Sequence, residues 1–168
     1  MMKKNILVFL LLLSYFSVFS QNTNSKWSDL FSYNNVLAFK EKDGKIIAAT
    51  ENGVFYYNTI SGEITKLSKA NGLHEVKISA FDYDAATNTA IIGYKSGNLD
   101  VVTADGVTYV VDIPLSQSYT GSKTINNISI NGDKAVISVG YAFLFLTLPK
   151  KNLEILVSFL MVLLTKKF

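Results

Sequence analysis

The stretch KIIAATENGVFYYN, Lys45 to Asn58, decides the fold. Ile46-Ile47-Ala48-Ala49 is continuously apolar with small residues, as suits a strand buried on both faces. Val54 to Tyr57 is β-branched and aromatic, the composition that strands favour. Between the two runs stands Asn52-Gly53, a pair that tolerates the backbone of a tight hairpin. Further along, AIIGYKSGNLDVV (Ala90 to Val102) repeats the arrangement around Ser96-Gly97, and INNISINGDKAVISVGYAFLFLT from Ile125 gives a third version. Ile46, Ala90 and Ala135 correspond when the units are aligned on their second strands, at spacings of 44 and 45 residues.

Working outward, each unit reads as a meander. The first has strands at Val36–Phe39, Lys45–Thr50, Val54–Asn58 and Glu63–Leu67, with turns at Asp43-Gly44, Asn52-Gly53 and Ser61-Gly62. Glu63-Ile64-Thr65-Lys66-Leu67 alternates polar and apolar residues, the mark of a half-buried outer strand. In the second unit the turns fall at Ala85–Thr89, Ser96-Gly97 and Asp105-Gly106, and Val107–Ile113 is the expected last strand. Gly44, Gly53, Gly62, Gly97, Gly106 and Gly132 are the expected structural turn positions. A period of about 40–45 residues with four strands per unit is that of propeller blades. The expected class is all-β: an incomplete β-propeller of about two and a half four-stranded antiparallel blades, near residues 36–67, 78–113 and 125–147, in a domain covering 21–147.

An open arc of that size leaves apolar faces and strand edges uncovered, so the chain is expected either to oligomerise or to be the front of something longer. The tail favours the second. Ala142 stands where the earlier units have Gly53 and Gly97, and FLFLTLPKKNLEILVSFLMVLLTKKF contains no further turn pair. Residues 148–168 therefore read as an apolar tail outside the propeller, helical or disordered, and a frameshift would produce such a run of Phe, Leu and Lys. Leu153–Leu164 is too short to span a bilayer.

Residues 1–20 read as a signal peptide that would form a helix: Lys3 and Lys4 precede an apolar run, and Val18-Phe19-Ser20 fits a cleavage site. Export to the periplasm or outer-membrane surface of a Gram-negative cell follows. The chain contains no cysteine, which excludes a disulfide framework and any thiolate metal site. Every basic residue is Lys, so the bidentate Arg reader of phosphate or guanine is missing and no nucleic-acid partner is expected. Beyond the leader, 14 Lys face 13 acids, a balance that implies no charge-driven partner.

Catalytic material is sparse. His74, the single histidine, lies in the connection NGLHEVKI and reads as a solvated loop residue. Asp82 and Asp84 in FDYDAATN begin like a calcium loop, but Ala86 and the missing Gly and Glu break the pattern, leaving a solvated turn. Glu41, Asp43 and Glu51 read as surface charges. Phe55, Tyr56 and Tyr57 run along one strand and are expected to fill the space between blades, with a tyrosine on a binding surface as the functional alternative. Trp27, Leu30, Phe31 and Tyr33 precede the first unit as a ring-closing strand or a docking patch. No catalytic, cofactor-binding or metal-binding residue is assigned, no cofactor or small-molecule substrate is identifiable, and no enzyme is expected.

Two resemblances add to this reading. NGLHEVKISAFDYDAATNTAIIGYKSGNLDVV resembles the periplasmic propeller repeats of bacterial two-component sensor kinases, with Asn71-Gly72-Leu73 and Gly97-Asn98-Leu99 as the matching turns. The whole of Trp27 to Thr147, opening on WSDLFSYNNV and running through GKIIAATENGVFYYN and GEITKLSKANGL, resembles more closely the N-terminal propeller of PorZ-type proteins of Bacteroidota. That resemblance implies a non-catalytic scaffold of the type IX secretion machinery that serves cargo processing and attachment. Its implied partners are other secretion-system proteins and the remaining blades of a longer chain. The sensor resemblance implies instead a ligand-sensing propeller.

Overall fold

The computed structural model describes residues 30–117, 121–148 and 156–158. The leader and Trp27 lie outside them. Three antiparallel four-stranded sheets follow one another. The first holds β1 (Val36–Lys42), β2 (Lys45–Thr50), β3 (Gly53–Asn58) and β4 (Ile64–Ser68). The second holds β5 (Ile78–Asp84), β6 (Thr89–Tyr94), β7 (Leu99–Thr103) and β8 (Gly106–Val110). β9 (Ile125–Asn131), β10 (Lys134–Val139), β11 (Phe143–Thr147) and β12 (Leu156–Ser158) form the third. Strand order equals chain order in each sheet, and the first strands β1, β5 and β9 lie side by side. That is the blade arrangement of a β-propeller seen over part of its ring.

The local chemistry explains the hairpins. Asp43 and Gly44 both take positive φ, 53° and 72°, closing β1 on β2 with Lys42 opposite Lys45. Positive φ at both central positions matches the twist of the flanking strands. Gly62, Gly97, Gly106 and Gly132 also sit at positive φ, whereas Gly53 does not.

The register corrects the reading of Ala142. Ala49 faces Val54, Gly93 faces Leu99 and Ser138 faces Phe143, so the residues before those partners correspond: Gly53, Asn98 and Ala142. Gly97 is one additional residue in the second turn. The Ala142 carbonyl accepts from Val139 N at 2.9 Å, just as the Asn98 carbonyl accepts from Tyr94 N at 3.0 Å. No left-handed backbone is needed there, so alanine closes the turn as well as glycine.

Two further differences follow. The second blade's last strand ends at Val110, not Ile113, and Asp112–Leu115 forms a single helical turn, α1. Pro114 has no N–H for a sheet ladder, which removes that stretch from the strand. The third blade has a fourth strand, because Leu156–Ser158 pairs antiparallel with Phe145–Thr147. Part of the segment read as a tail thus adds a short edge strand to the third sheet of the incomplete propeller.

The core lies between sheets. Ile47, Ala49 and Val54 of the first sheet pack on Ile78, Phe81, Ala90 and Ile92 of the second. On its other side the second sheet presents Ile91, Leu99 and Val101 to Ile125, Ile137 and Leu144 of the third. β6 is therefore buried on both faces, which is why Ala90 to Tyr94 carries no charge. Ile91 and Ile92 are both fully buried, each contributing roughly 1.5–3 kcal/mol by removal from water.

Polar groups join the same layers. Asp82 is almost fully buried on β5, and its carboxylate accepts from Lys40 Nζ of β1 at 2.9 Å and from the Ile130 N–H of β9 at 2.7 Å. It is not the solvated turn acid that its sequence suggests. Asp84 does hold the turn, accepting from Ala86 N, Thr87 N and Thr87 Oγ1. Asp82→Ala leaves the Ile130 amide without its acceptor. It is expected to lower unfolding free energy by about 2 kcal/mol, read by denaturant titration, while Lys40→Ala costs under about 1 kcal/mol because Lys40 is half exposed.

Candidate functional site

The connection between the first and second blades, Lys69 to Lys77, runs over the end of β7 and holds the densest polar cluster among the described residues. Asp100 is at its centre, fully buried in a strand whose neighbours Leu99 and Val101 are core. Its Oδ2 accepts from Tyr94 Oη at 2.5 Å and from the His74 N–H at 2.9 Å, and its Oδ1 takes the hydrogen on His74 Nδ1 at 2.7 Å. The imidazole stacks on the Tyr109 ring, centroids 4.4 Å apart and planes 13° from parallel. His74 is therefore an anchor, not a solvated loop residue.

Glu75 continues the network. Its carboxylate accepts from Ser96 Oγ at 2.7 Å, from Tyr109 Oη at 2.5 Å and from Asn98 Nδ2. Asn98 Nδ2 also donates to Tyr109 Oη at 2.7 Å, while its Oδ1 is buried and has no hydrogen-bond partner. Burial pushes the Tyr94 hydroxyl far above the usual phenol range, reinforced by the Asp100 hydrogen bond. Tyr109 is pushed up to about 12 by burial and by Glu75. Burial works against ionisation of Glu75, but the donors Tyr109, Asn98 and Ser96 outweigh it and hold the carboxyl below the usual carboxylate range.

A depressed folded-state value contributes stability above the unfolded value and loses it as pH falls through the folded one. Stability is accordingly expected to fall below about pH 4.5, and Glu75→Gln to flatten that acid limb by on the order of 1 kcal/mol or less, since Glu75 is only part-buried and solvent screens it. Thermal midpoints of the two proteins between pH 3 and 7 measure the difference.

Chemically, a histidine oriented through Nδ1 by a carboxylate is the half of a catalytic triad that positions the base. Among the described residues no hydroxyl is hydrogen-bonded to the other side of the ring, and no group of three or more His, Asp or Glu is placed to hold a metal. The cluster ties a loop to a blade. Sequence reading missed Asp100, Tyr94, Glu75 and Tyr109. One signal was present: a lone acid inside the otherwise apolar strand LDVV.

Other singled-out residues are placed as follows. Tyr56 turns toward the second blade, while Phe55 and Tyr57 point to the opposite face. There they line a groove of about 560 Å³ with Val36, Leu37, Phe39 and Ile46. Leu30 to Asn34 form no strand. Instead Tyr33 folds over the first blade, edge-on to Phe55 at 6.3 Å and beneath Lys66 Nζ at 4.5 Å, and Asn52 Nδ2 donates to Ser32 O at 2.8 Å. Glu51 pairs with Lys95 of the next blade at 2.6 Å, and that Lys95 hydrogen bond holds the Glu51 carboxyl low.

Residues 46–159 match the model of the type IX secretion protein PorZ, N-terminal β-propeller domain. The chain belongs to the PorZ N-terminal β-propeller family. The match runs through the third blade and takes in β12. Among solved structures, PorZ of Porphyromonas gingivalis, described as an essential surface component of its type IX secretion system, aligns over 73% of this chain at 22% identity and a TM-score of 0.64. The extracellular domain of the one-component system BT4673 of B. thetaiotaomicron aligns over 71% at 14% identity and a TM-score of 0.54. The chain spans only 17% and 16% of those two proteins. No curated protein sequence matches. Both structural likenesses concern the fold.

Proposed function

We propose that this PorZ-family propeller segment is a non-catalytic binding and scaffold module of an exported type IX secretion component, serving the processing and surface attachment of cargo. Family membership over residues 46–159 carries the reading. The site chemistry is in keeping with it, since the His74–Asp100–Glu75 cluster is spent on holding a loop against a blade. The partners are other secretion-system proteins at the cell surface. The weaker likeness to the BT4673 extracellular domain supports a second reading, a ligand-sensing propeller of a signalling system.

Deletion of the gene separates the two. Under the scaffold reading, proteins bearing the secretion signal accumulate unprocessed behind the outer membrane, and the intact gene restores their release. If cargo is processed normally and a transcriptional response to an external nutrient is lost instead, the sensor reading replaces it.

A further inference from the structure

The sequence holds three Asn-Gly pairs, Asn52-Gly53, Asn71-Gly72 and Asn131-Gly132. Glycine carries no Cβ to shield its backbone nitrogen from the preceding side chain, so all three share one latent reaction. The glycine nitrogen bonds to Asn Cγ and closes a succinimide ring. The Cγ–Nδ2 bond breaks, and Nδ2 leaves as ammonia with the proton from the glycine N–H. Water then opens the ring at one carbonyl or the other, leaving aspartate or isoaspartate.

The fold treats the three pairs differently. Asn71 Oδ1 accepts from Ser68 N at 2.7 Å and from Ser68 Oγ at 3.2 Å, and its Nδ2 donates to Lys66 O at 2.8 Å. Asn52 Nδ2 donates to Ser32 O at 2.8 Å, and Gly53 is buried at the start of β3, paired with Ser68. In both, the amide must break its bonds before it can reach the glycine nitrogen. Asn131 is exposed, and its side chain has no hydrogen-bond partner among the described residues. Gly132 is exposed too, at φ 62°, with open space where a Cβ would stand and no hydrogen bond to its N–H among the described residues.

We propose that Asn131 is the deamidation site of this protein. Asn131 faces Lys134 in the terminal pair of the β9–β10 ladder, so turning its carbonyl for ring closure opens that end alone. Fraying of an exposed strand end is among the cheapest openings a fold has. What lies beyond the third sheet does not alter this. Lys42 holds the corresponding place, opposite Lys45 in the first blade, and is exposed although the second sheet packs alongside. Deamidation puts a carboxylate at the hairpin tip, and isoaspartate also lengthens the main chain there, which takes the pair with Lys134 out of register. The inference rests on the hydrogen bonding of the three pairs and not on the secretion reading.

The exported protein is held at mildly alkaline pH, folded and in guanidinium, and digested at intervals. Mass spectrometry follows the acid form of each Asn-Gly peptide, and enzymatic methyl labelling detects isoaspartate. In guanidinium the three pairs should react at comparable rates. Folding is expected to slow Asn52 and Asn71 at least roughly tenfold more than Asn131, the ratio that about 1.4 kcal/mol of additional opening cost produces. Asn131→Gln, whose longer side chain closes a ring far more slowly, should remove the early acidic species and leave the circular dichroism of the sheets unchanged. Asn52 or Asn71 reacting first in the folded protein overturns the proposal. Equal slowing at all three pairs, or an early acidic species that persists in Asn131→Gln, overturns it equally.

Discussion

Asp100→Ala is expected to destabilise the protein by about 3 kcal/mol, a loss readable as a lower denaturant midpoint with an unchanged slope. The carboxylate is fully buried and receives three donors: Tyr94 Oη, the His74 N–H and His74 Nδ1. Truncation strands all three at once, and the Tyr94 hydroxyl is in the core with no water to replace the acceptor. Asp100→Asn should recover part of the loss, since one amide oxygen still accepts while its NH₂ faces donors. His74→Ala should cost less than Asp100→Ala, because the imidazole is half exposed and its removal leaves the carboxylate bonded to Tyr94. A double-mutant cycle between positions 74 and 100 isolates their coupling.

The second large effect is expected at Gly93. A Cβ there would stand 2.6 Å from Ile125 Cγ2 and 2.8 Å from Ile125 Cβ, closer than real side chains approach. Gly93 lies in β6, buried on both faces, and Ile125 is fully buried where the third blade meets the second. Neither side has room to yield, so Gly93→Ala is expected to cost about 2–3 kcal/mol from overpacking. Ile125→Ala alone costs about 2–4 kcal/mol through the cavity it leaves. Combined, the two should cost less than their sum, because the new methyl occupies space that isoleucine vacates. Calorimetry of the four proteins gives that coupling, and additive costs would refute the close contact as its origin.

Much of this architecture was legible because blades are local. The turn pairs Asp43-Gly44 and Asp105-Gly106, the apolar run Ile46 to Ala49 and the spacing of Ile46, Ala90 and Ala135 all report short-range rules; strands flank the first turn, while the second falls one residue earlier, at Ala104-Asp105, with Gly106 opening β8. The same locality misled at Ala142, where counting glycines aligned Gly53 with Gly97. Only the ladder reveals that Asn98 is the true counterpart. β12 carries no turn signal before it and is three residues long, so nothing in its composition separated it from a tail. The polar network was harder still. His74 and Asp100 are 26 residues apart and Asp82 and Ile130 are 48 apart, and a side chain's partner at that distance is set by how blades stack, which no local pattern encodes.

Asp82 gives the arc a property that none of its blades has alone. In a stacked array each unit is stabilised chiefly by its neighbours, and whether the array melts in one step depends on the strength of coupling between adjacent units. The second blade couples to the first through one oxygen of this carboxylate and to the third through the other. These links add to the apolar layers that already join the three sheets, so Asp82→Ala is expected to weaken the coupling between blades without abolishing it.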